Sequence, residues 1–265
     1  MPTILDTIAD YARERVRIAK TEISLDKIKE IAFSKDIDSS FPFETALRKK
    51  DISFICECKK ASPSKGIISE NFDCVKIAKE YEKAGADCIS VLTEPKWFLG
   101  DNEYLKNTAQ TVNIPIIRKD FTVDEYMIYE AKTLGASAVL LICSILDTET
   151  IRKYIEICDS LGMSAVVEAH NEEEIKSALS AGARIVGVNN RNLKDFSVDT
   201  ENSRKLRELV PKNLIFISES GVKSSEDIAF LREIGADAVL IGETLMRADD
   251  ITAMLKTLRG QYDKG

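Results

Sequence analysis

The chain has 265 residues, 44% of them hydrophobic and 31% charged, a balance that supports a sizeable core and excludes a disordered chain. A net charge of −7 with no segregated basic stripe excludes nucleic acid as a partner. No apolar run approaches the roughly 20 residues needed to cross a bilayer, so no membrane partner is expected.

In chain order, the opening MPTILDTIADYARERV carries Asp6, Asp10 and Glu14 and lacks the basic-then-apolar order of a signal peptide, so a cytoplasmic location is expected. ILDTIADYARERVRIAK (4–20) and SLDKIKEIAF (24–33) read as two helices, with Ser24 capping the second, and FPFETAL (41–47) leads onward. Residues 1–47 are too few for a domain and are read as an N-terminal helical extension that caps or flanks the rest. Short apolar runs then follow at 52–58, 87–92, 114–118, 137–143, 164–168, 184–189, 214–218 and 238–241, each read as a buried strand. Helical patterns lie between them, among them 72–84, 171–181 and 224–234.

A phrase recurs within this alternation: AGADCISVL (84–92), LGASAVLLI (134–142), AGARIVGVN (181–189) and IGADAVLIG (234–242). Its glycines, Gly85, Gly135, Gly182 and Gly235, each end a helical pattern as left-handed C-caps, and their spacings of 50, 47 and 53 suit two βα units. Eight βα units, with no glycine-rich dinucleotide turn in ECKKASPSKG, favour a closed (β/α)8 TIM barrel over an open doubly wound sheet. The expected organisation is one barrel domain over 1–265.

Active sites of such barrels lie at the C-terminal ends of the strands, and side chains two apart along a strand share a face. The predicted strand ends carry Glu57 and Lys59, then Lys119 and Phe121, Glu168, Asn189 and Arg191, and Glu219. A structural ion pair explains any one of them; their convergence on one rim points to chemistry. Crowded there, they should shift one another's protonation, with one lysine as acid and one glutamate as base near neutral pH. SPSKG (62–66), SGV (220–222) and IGET (241–244) are candidate phosphate loops. Backbone N–H groups of Gly221, Gly242 and Glu243 and hydroxyls of Ser62 and Ser220 would meet a dianion there. The carboxylate of Glu243 must then turn away.

His170 follows Glu168 by two residues and reads either as a base or as an N-cap or flank of the helix beginning at Asn171. Trp97 and Phe98 form an aromatic pair after the second strand, suited to loop packing or to an aromatic substrate. Cys56, Cys58, Cys88 and Cys143 lie in apolar runs and read as small buried hydrophobes. With one histidine, and no second pair beside the C-x-C of Cys56 and Cys58, no metal site is expected.

The motifs FICECKKASPSKG, TEPKWFLG, IPIIRKDF, VVEAH, VGVNNRNL, ISESGV and LIGETLM, in this order, resemble the indole-3-glycerol-phosphate synthase family over essentially the whole chain. VEAH stands where VEVH is more usual. The resemblance implies ring closure of 1-(2-carboxyphenylamino)-1-deoxyribulose 5-phosphate with loss of carbon dioxide and water, without a cofactor. It implies Lys119 as general acid on the ketone oxygen. Lys59 would pair with the anthranilate carboxylate or assist proton transfer, and Glu168 would act as base or stabilise the cation. Glu57 would orient a lysine and take part in dehydration, Asn189 and Glu219 would bind near the reacting centre, and Arg191 would support them. Ser62, Ser220, Gly221, Gly242 and Glu243 would hold the phosphate; Phe98, Phe121 and Leu140 would form the slot for the benzene ring. The expected partner is a soluble sugar phosphate and the expected state a monomer, associating at most weakly with other tryptophan-pathway enzymes. The alternatives are another phosphate barrel, such as phosphoribosylanthranilate isomerase, or a non-catalytic sugar-phosphate-binding barrel. The isomerase wants a cysteine–aspartate pair, and Cys58 is out of phase with Glu57 and Lys59.

Overall fold

A computed structural model describes residues 3–192 and 196–260; Leu193, the last residue of the VGVNNRNL motif, lies outside the described residues. The extension forms three helices, α1 (Ile4–Glu22), α2 (Leu25–Phe33) and α3 (Pro42–Leu47). Strands β1 (Ser53–Cys58), β2 (Cys88–Leu92), β3 (Ile116–Lys119) and β4 (Ala138–Ile142) follow. The set is completed by β5 (Ser164–Ala169), β6 (Ile185–Asn189), β7 (Ile215–Glu219) and β8 (Ala238–Ile241). Between them run α4 (Cys74–Lys83), α5 (Asn102–Ala109), α6 (Glu125–Leu134), α7 (Thr148–Ser160), α8 (Glu172–Ser180), α9 (Glu201–Arg207) and α10 (Ser225–Glu233). The short α11 (Glu243–Met246) and α12 (Ile251–Leu258) follow β8. Each strand pairs in parallel with the next, and β8 closes on β1 through Ser53↔Ala238 to Cys56↔Ile241, as the βα alternation predicts. A small hairpin, Ala61–Ser62 against Gly66–Ile67, interrupts the first βα loop.

Local chemistry explains the boundaries. Asp73, Asp101, Asp124, Asp147, Asn171, Ser224 and Asp250 each cap a helix by accepting a backbone N–H, and Ser24 does so for α2. The four repeat glycines lie at φ between 76° and 93°, in the left-handed conformation their position requires. β3 begins later than the sequence indicates. Pro115 has no N–H for the ladder, so the strand starts at Ile116, and pairing of Leu92 with Lys119 places Lys119 inside the strand instead of just past it.

Side-chain alternation divides the core. Ile55, Ile117, Leu140, Val166, Ile185 and Ile217 point inward and fill the barrel, while Phe54, Val139, Val167 and Phe216 pack outward against helices. FPFETAL, expected only to lead in, is helical, and Phe43 and Leu47 join the interior cluster as a plug. Its Glu44 accepts from Arg184 at 2.8 Å and from Ser164 at 3.4 Å, at the N-terminal ends of β6 and β5. The extension therefore both caps and flanks. Lys29 of α2 pairs with Glu125 of α6, and α1 reaches the opposite end of the barrel.

Candidate active site

A cavity of about 580 Å3 opens at the C-terminal mouth. Every site residue expected from the sequence lines it: Glu57, Lys59, Ser62, Phe98, Lys119, Phe121, Leu140, Glu168, Asn189, Arg191, Glu219, Ser220, Gly221, Gly242 and Glu243. The strand phase brings them together, because inward positions of β1, β3, β5, β6 and β7 all end in polar residues at one level.

At the centre, Lys119 Nζ donates to Glu168 Oε2 at 3.0 Å and to Glu219 Oε2 at 2.9 Å. Lys59 Nζ lies 2.7 Å from Glu57 Oε1, and Ser90 donates to Glu57 Oε2 at 3.3 Å. Two inward glycines make room for these carboxylates. A Cβ at Gly187 would strike Glu219 Oε1, and one at Gly242 would come within 2.6 Å of Glu57 Oε1.

The two carboxylates sharing Lys119 differ in acidity. Burial opposes ionisation of Glu168, but Lys119, His170 and a hydrogen bond with Asn189 outweigh it and hold the carboxyl below its ordinary range. Burial pushes Glu219 up to about 7, and the Glu168 charge adds to that against the pull of Lys119. Glu219 Oε1 is buried and meets no hydrogen-bond donor among the described residues. Burial opposes the Lys119 cation too, yet Glu168, Glu219 and Glu57 together raise it above the ordinary lysine range. Near neutral pH Lys119 therefore carries the proton a general acid needs. The carboxyl of Glu219 is the group that titrates there.

Phe98 and Phe121 stack obliquely with centroids 6.0 Å apart, and with Leu140 they wall the apolar side of the cavity. Trp97 parts from Phe98: its ring meets Tyr11 of α1 edge-on at 5.5 Å, so only one of the aromatic pair serves the cavity. At the opposite side, Ser220 (φ 66°) and Gly221 (φ 102°) form a left-handed turn after β7, and α11 starts at Glu243. The Glu243 carboxylate turns to Arg247 (3.2 Å) and Lys65 (3.6 Å), as required if only its N–H is to face an anion. The Ser220 hydroxyl donates to Asn189 Oδ1 at 3.0 Å, so it must swing away before it can serve a phosphate. Arg191 is held by its backbone, its N–H donating to Asn189 Oδ1 and its guanidinium to Phe196 O.

Sequence reasoning missed three groups. Ile4, Leu5 and Ile8 of α1 line the apolar side, a role for which the spacing of apolar residues at the start of α1 was the available signal. Lys65, Lys223 and Arg247 add positive charge to the side of the Ser220–Gly221 turn. Glu94 is fully buried and accepts the N–H groups of Lys96, Trp97 and Phe98 at 2.7–2.9 Å, which folds the loop that presents Phe98. His170 is not the N-cap of α8; Asn171 is. Cys58 lies on the outer face of β1 against Cys74 O, away from the cavity, and Cys143 lies just past β4 and is only partly buried.

A closed parallel barrel with a lysine–glutamate cluster at its C-terminal mouth, flanked by an apolar wall and a cationic turn, defines a (β/α)8-barrel enzyme for an anionic substrate. The family model described as Indole-3-glycerol phosphate synthase matches residues 5–258. The chain belongs to the indole-3-glycerol phosphate synthase family. It is 58% identical over 257 residues to the indole-3-glycerol phosphate synthase of Ruminiclostridium cellulolyticum, covering 97% of this chain and 99% of that one. Its identity with the one from Lachnoclostridium phytofermentans is 49% over 267 residues, covering 97% and 98%. Among solved structures, a 3-hexulose-6-phosphate synthase superposes with a TM-score of 0.63 at 18% identity, covering 80% of this chain and 100% of that one, a likeness of fold alone. Among the described residues, no helix is long and apolar enough to cross a membrane.

Proposed function

We propose that the chain closes the indole ring of 1-(2-carboxyphenylamino)-1-deoxyribulose 5-phosphate, releasing carbon dioxide and water, and so works as a carbon–carbon lyase on a soluble sugar phosphate in the cytoplasm. The observation that carries this reading is the position of Lys119. It stands between two buried carboxylates, in a cavity with one apolar and one cationic side.

In the closing step the ring carbon bearing the carboxylate bonds to the ketone carbon, and the carbonyl electrons move to oxygen. Lys119 protonates that oxygen. A lysine held charged suits this task, because the developing alkoxide is more basic than an amine and takes the proton only as the bond forms. The cationic ring then loses carbon dioxide, and the electrons of the broken carbon–carbon bond restore aromaticity. The hydroxyl leaves as water with a proton supplied near Glu57 and Lys59, and a carbon-bound proton passes to a carboxylate to complete the pyrrole. Glu168 is the base and the counter-charge to the cation. Glu219, poised at about 7, relays protons, with Asn189 and Arg191 ordering the floor. Lys59 also receives the anthranilate carboxylate. Phe98, Phe121 and Leu140 sandwich the benzene ring, and Ser62, Ser220, Gly221, Gly242 and Glu243 hold the phosphate.

The test is a continuous assay for the fluorescence of indole-3-glycerol phosphate with purified protein. Turnover is expected in the wild type and its abolition in Lys119→Met, with inorganic phosphate competing with substrate. An inactive wild type overturns the reaction; near-normal kcat in the variant overturns the general acid.

A further inference from the structure

Glu168 and Glu219 share one lysine yet are shifted in opposite directions, and one contact that separates them lies behind the strand ends. Lys119 occupies Glu168 Oε2. Its other oxygen, Oε1, faces His170 Nε2 at 3.5 Å. That nitrogen is buried and makes no hydrogen bond among the described residues. The far side of the ring is fixed: Nδ1 lies 3.0 Å from Glu174 Oε2, and the backbone N–H of His170 donates to the same oxygen at 2.8 Å. Glu174 sits in the first turn of α8, anchored by Ser144, which donates to its Oε1 at 2.7 Å. Glu219 has no such support.

We propose that His170 is a positioning residue for the reaction, its imidazole clamped by Glu174 so that Nε2 holds Glu168 against Lys119. The proposal rests on the reaction assigned above and adds a residue that reaches the substrate only through Glu168. The groups facing the ring are Glu174 from α8, Glu168 on its own strand and Glu219 from β7, with Lys119 of β3 beyond Glu168 and the Cys143 thiol at the end of β4 against the α8 backbone. Burial opposes a charge on His170, but the three carboxylates outweigh it and raise its pKa above the ordinary histidine value. The charged form of the ring is therefore favoured, with Nδ1 hydrogen-bonded to Glu174 and Nε2 in ionic contact with Glu168 at 3.5 Å, outside hydrogen-bond geometry. As pH rises through that raised value the clamp loses its charge.

His170 is the only histidine in the chain, so its ring signal can be titrated by NMR in tag-free, full-length protein with no assignment problem. The wild-type ring is expected to titrate above 6.5, and both Glu174→Gln and Glu168→Gln are expected to lower its midpoint. An unmoved midpoint in Glu168→Gln overturns the clamp whether or not the protein is active. In the fluorescence assay His170→Ala should lower kcat by roughly tenfold to a hundredfold with KM changed less than threefold. His170→Gln, which keeps an N–H donor without the charge, should recover part of that loss and flatten the alkaline limb of kcat against pH. Full activity in His170→Ala beside an active wild type defeats the proposal and leaves the reaction standing. An inactive wild type with a coupled titration defeats the reaction first.

Discussion

Glu219 is where site chemistry and stability oppose each other most clearly. Its carboxyl titrates at about 7 because burial and the Glu168 charge outweigh Lys119. Between the ordinary carboxylate range and pH 7 the folded protein keeps a proton that the unfolded chain has lost. Stability therefore falls as pH rises through that window, and the full cost is present above it. Glu219→Gln stays neutral throughout, so it should stabilise the protein above pH 7 by roughly 2–3 kcal/mol and hardly at all near pH 4.5. Denaturant unfolding at pH 5 and pH 8 measures this, with the m-value unchanged. Turnover should fall in the same variant. Equal stability of wild type and variant at pH 8 contradicts the strained carboxyl. The identity of Glu219 was legible at its strand end, but its charge state was not. That state depends on Gly187 leaving space for Oε1 and on which neighbours donate to which oxygen, and neither is encoded along one strand.

At the scale of elements, the strands were legible because two-faced burial writes a continuous apolar run, and the helices because their patterns end at Gly85, Gly135, Gly182 and Gly235. The N-terminal helices were also legible, but not what α1 does. The segment reads only as a helix that caps or flanks the rest, whereas its Ile4, Leu5 and Ile8 line the cavity. The device that holds α1 there is long-range: Arg15 makes a two-pronged pair with Asp120, at 3.1 and 2.7 Å, in the loop directly after Lys119. Lys20 pairs with Asp124 in the same loop at 2.8 Å. Burial opposes the charge of Asp120, but Arg15 and Arg118 hold its carboxyl below the ordinary range. Arg15→Ala should therefore loosen α1 from the mouth and raise KM several-fold while kcat changes little. The stability loss should be about 2 kcal/mol, short of the roughly 3–5 of a fully buried pair, because Thr93 still serves Asp120 and Arg15 is 21% exposed. Steady-state kinetics beside unfolding measurements decide it. A fall in kcat at constant KM would mean that α1 acts on Lys119 instead of on the substrate wall.

The whole molecule separates stability from chemistry along the barrel axis. The mouth keeps buried carboxylates, a glycine-opened floor and a left-handed turn; the other end is closed by α3. The interior between them is apolar and filled, with Ile55, Ile117, Val166 and Ile217 standing between plug and lysine. FPFETAL reads as a lead-in because a six-residue helix carries too few turns to show a periodicity, and its role comes only from where closure of the barrel puts it. Phe43 is fully buried there, and its truncation leaves a void that neighbouring strands, tied into a closed ladder, cannot collapse to fill. Phe43→Ala should cost about 3–5 kcal/mol in unfolding free energy. Lys119, Glu168 and Glu219 are fixed by their own pairs at the opposite end, so kcat and KM per folded molecule should stay within about twofold of wild type. A denaturation curve with kinetics measured well below the transition tests both halves together. A large loss of kcat in protein that is still folded would show the plug transmitting strain through the interior to the catalytic floor, and the barrel would then act as one mechanical unit instead of two separable ends.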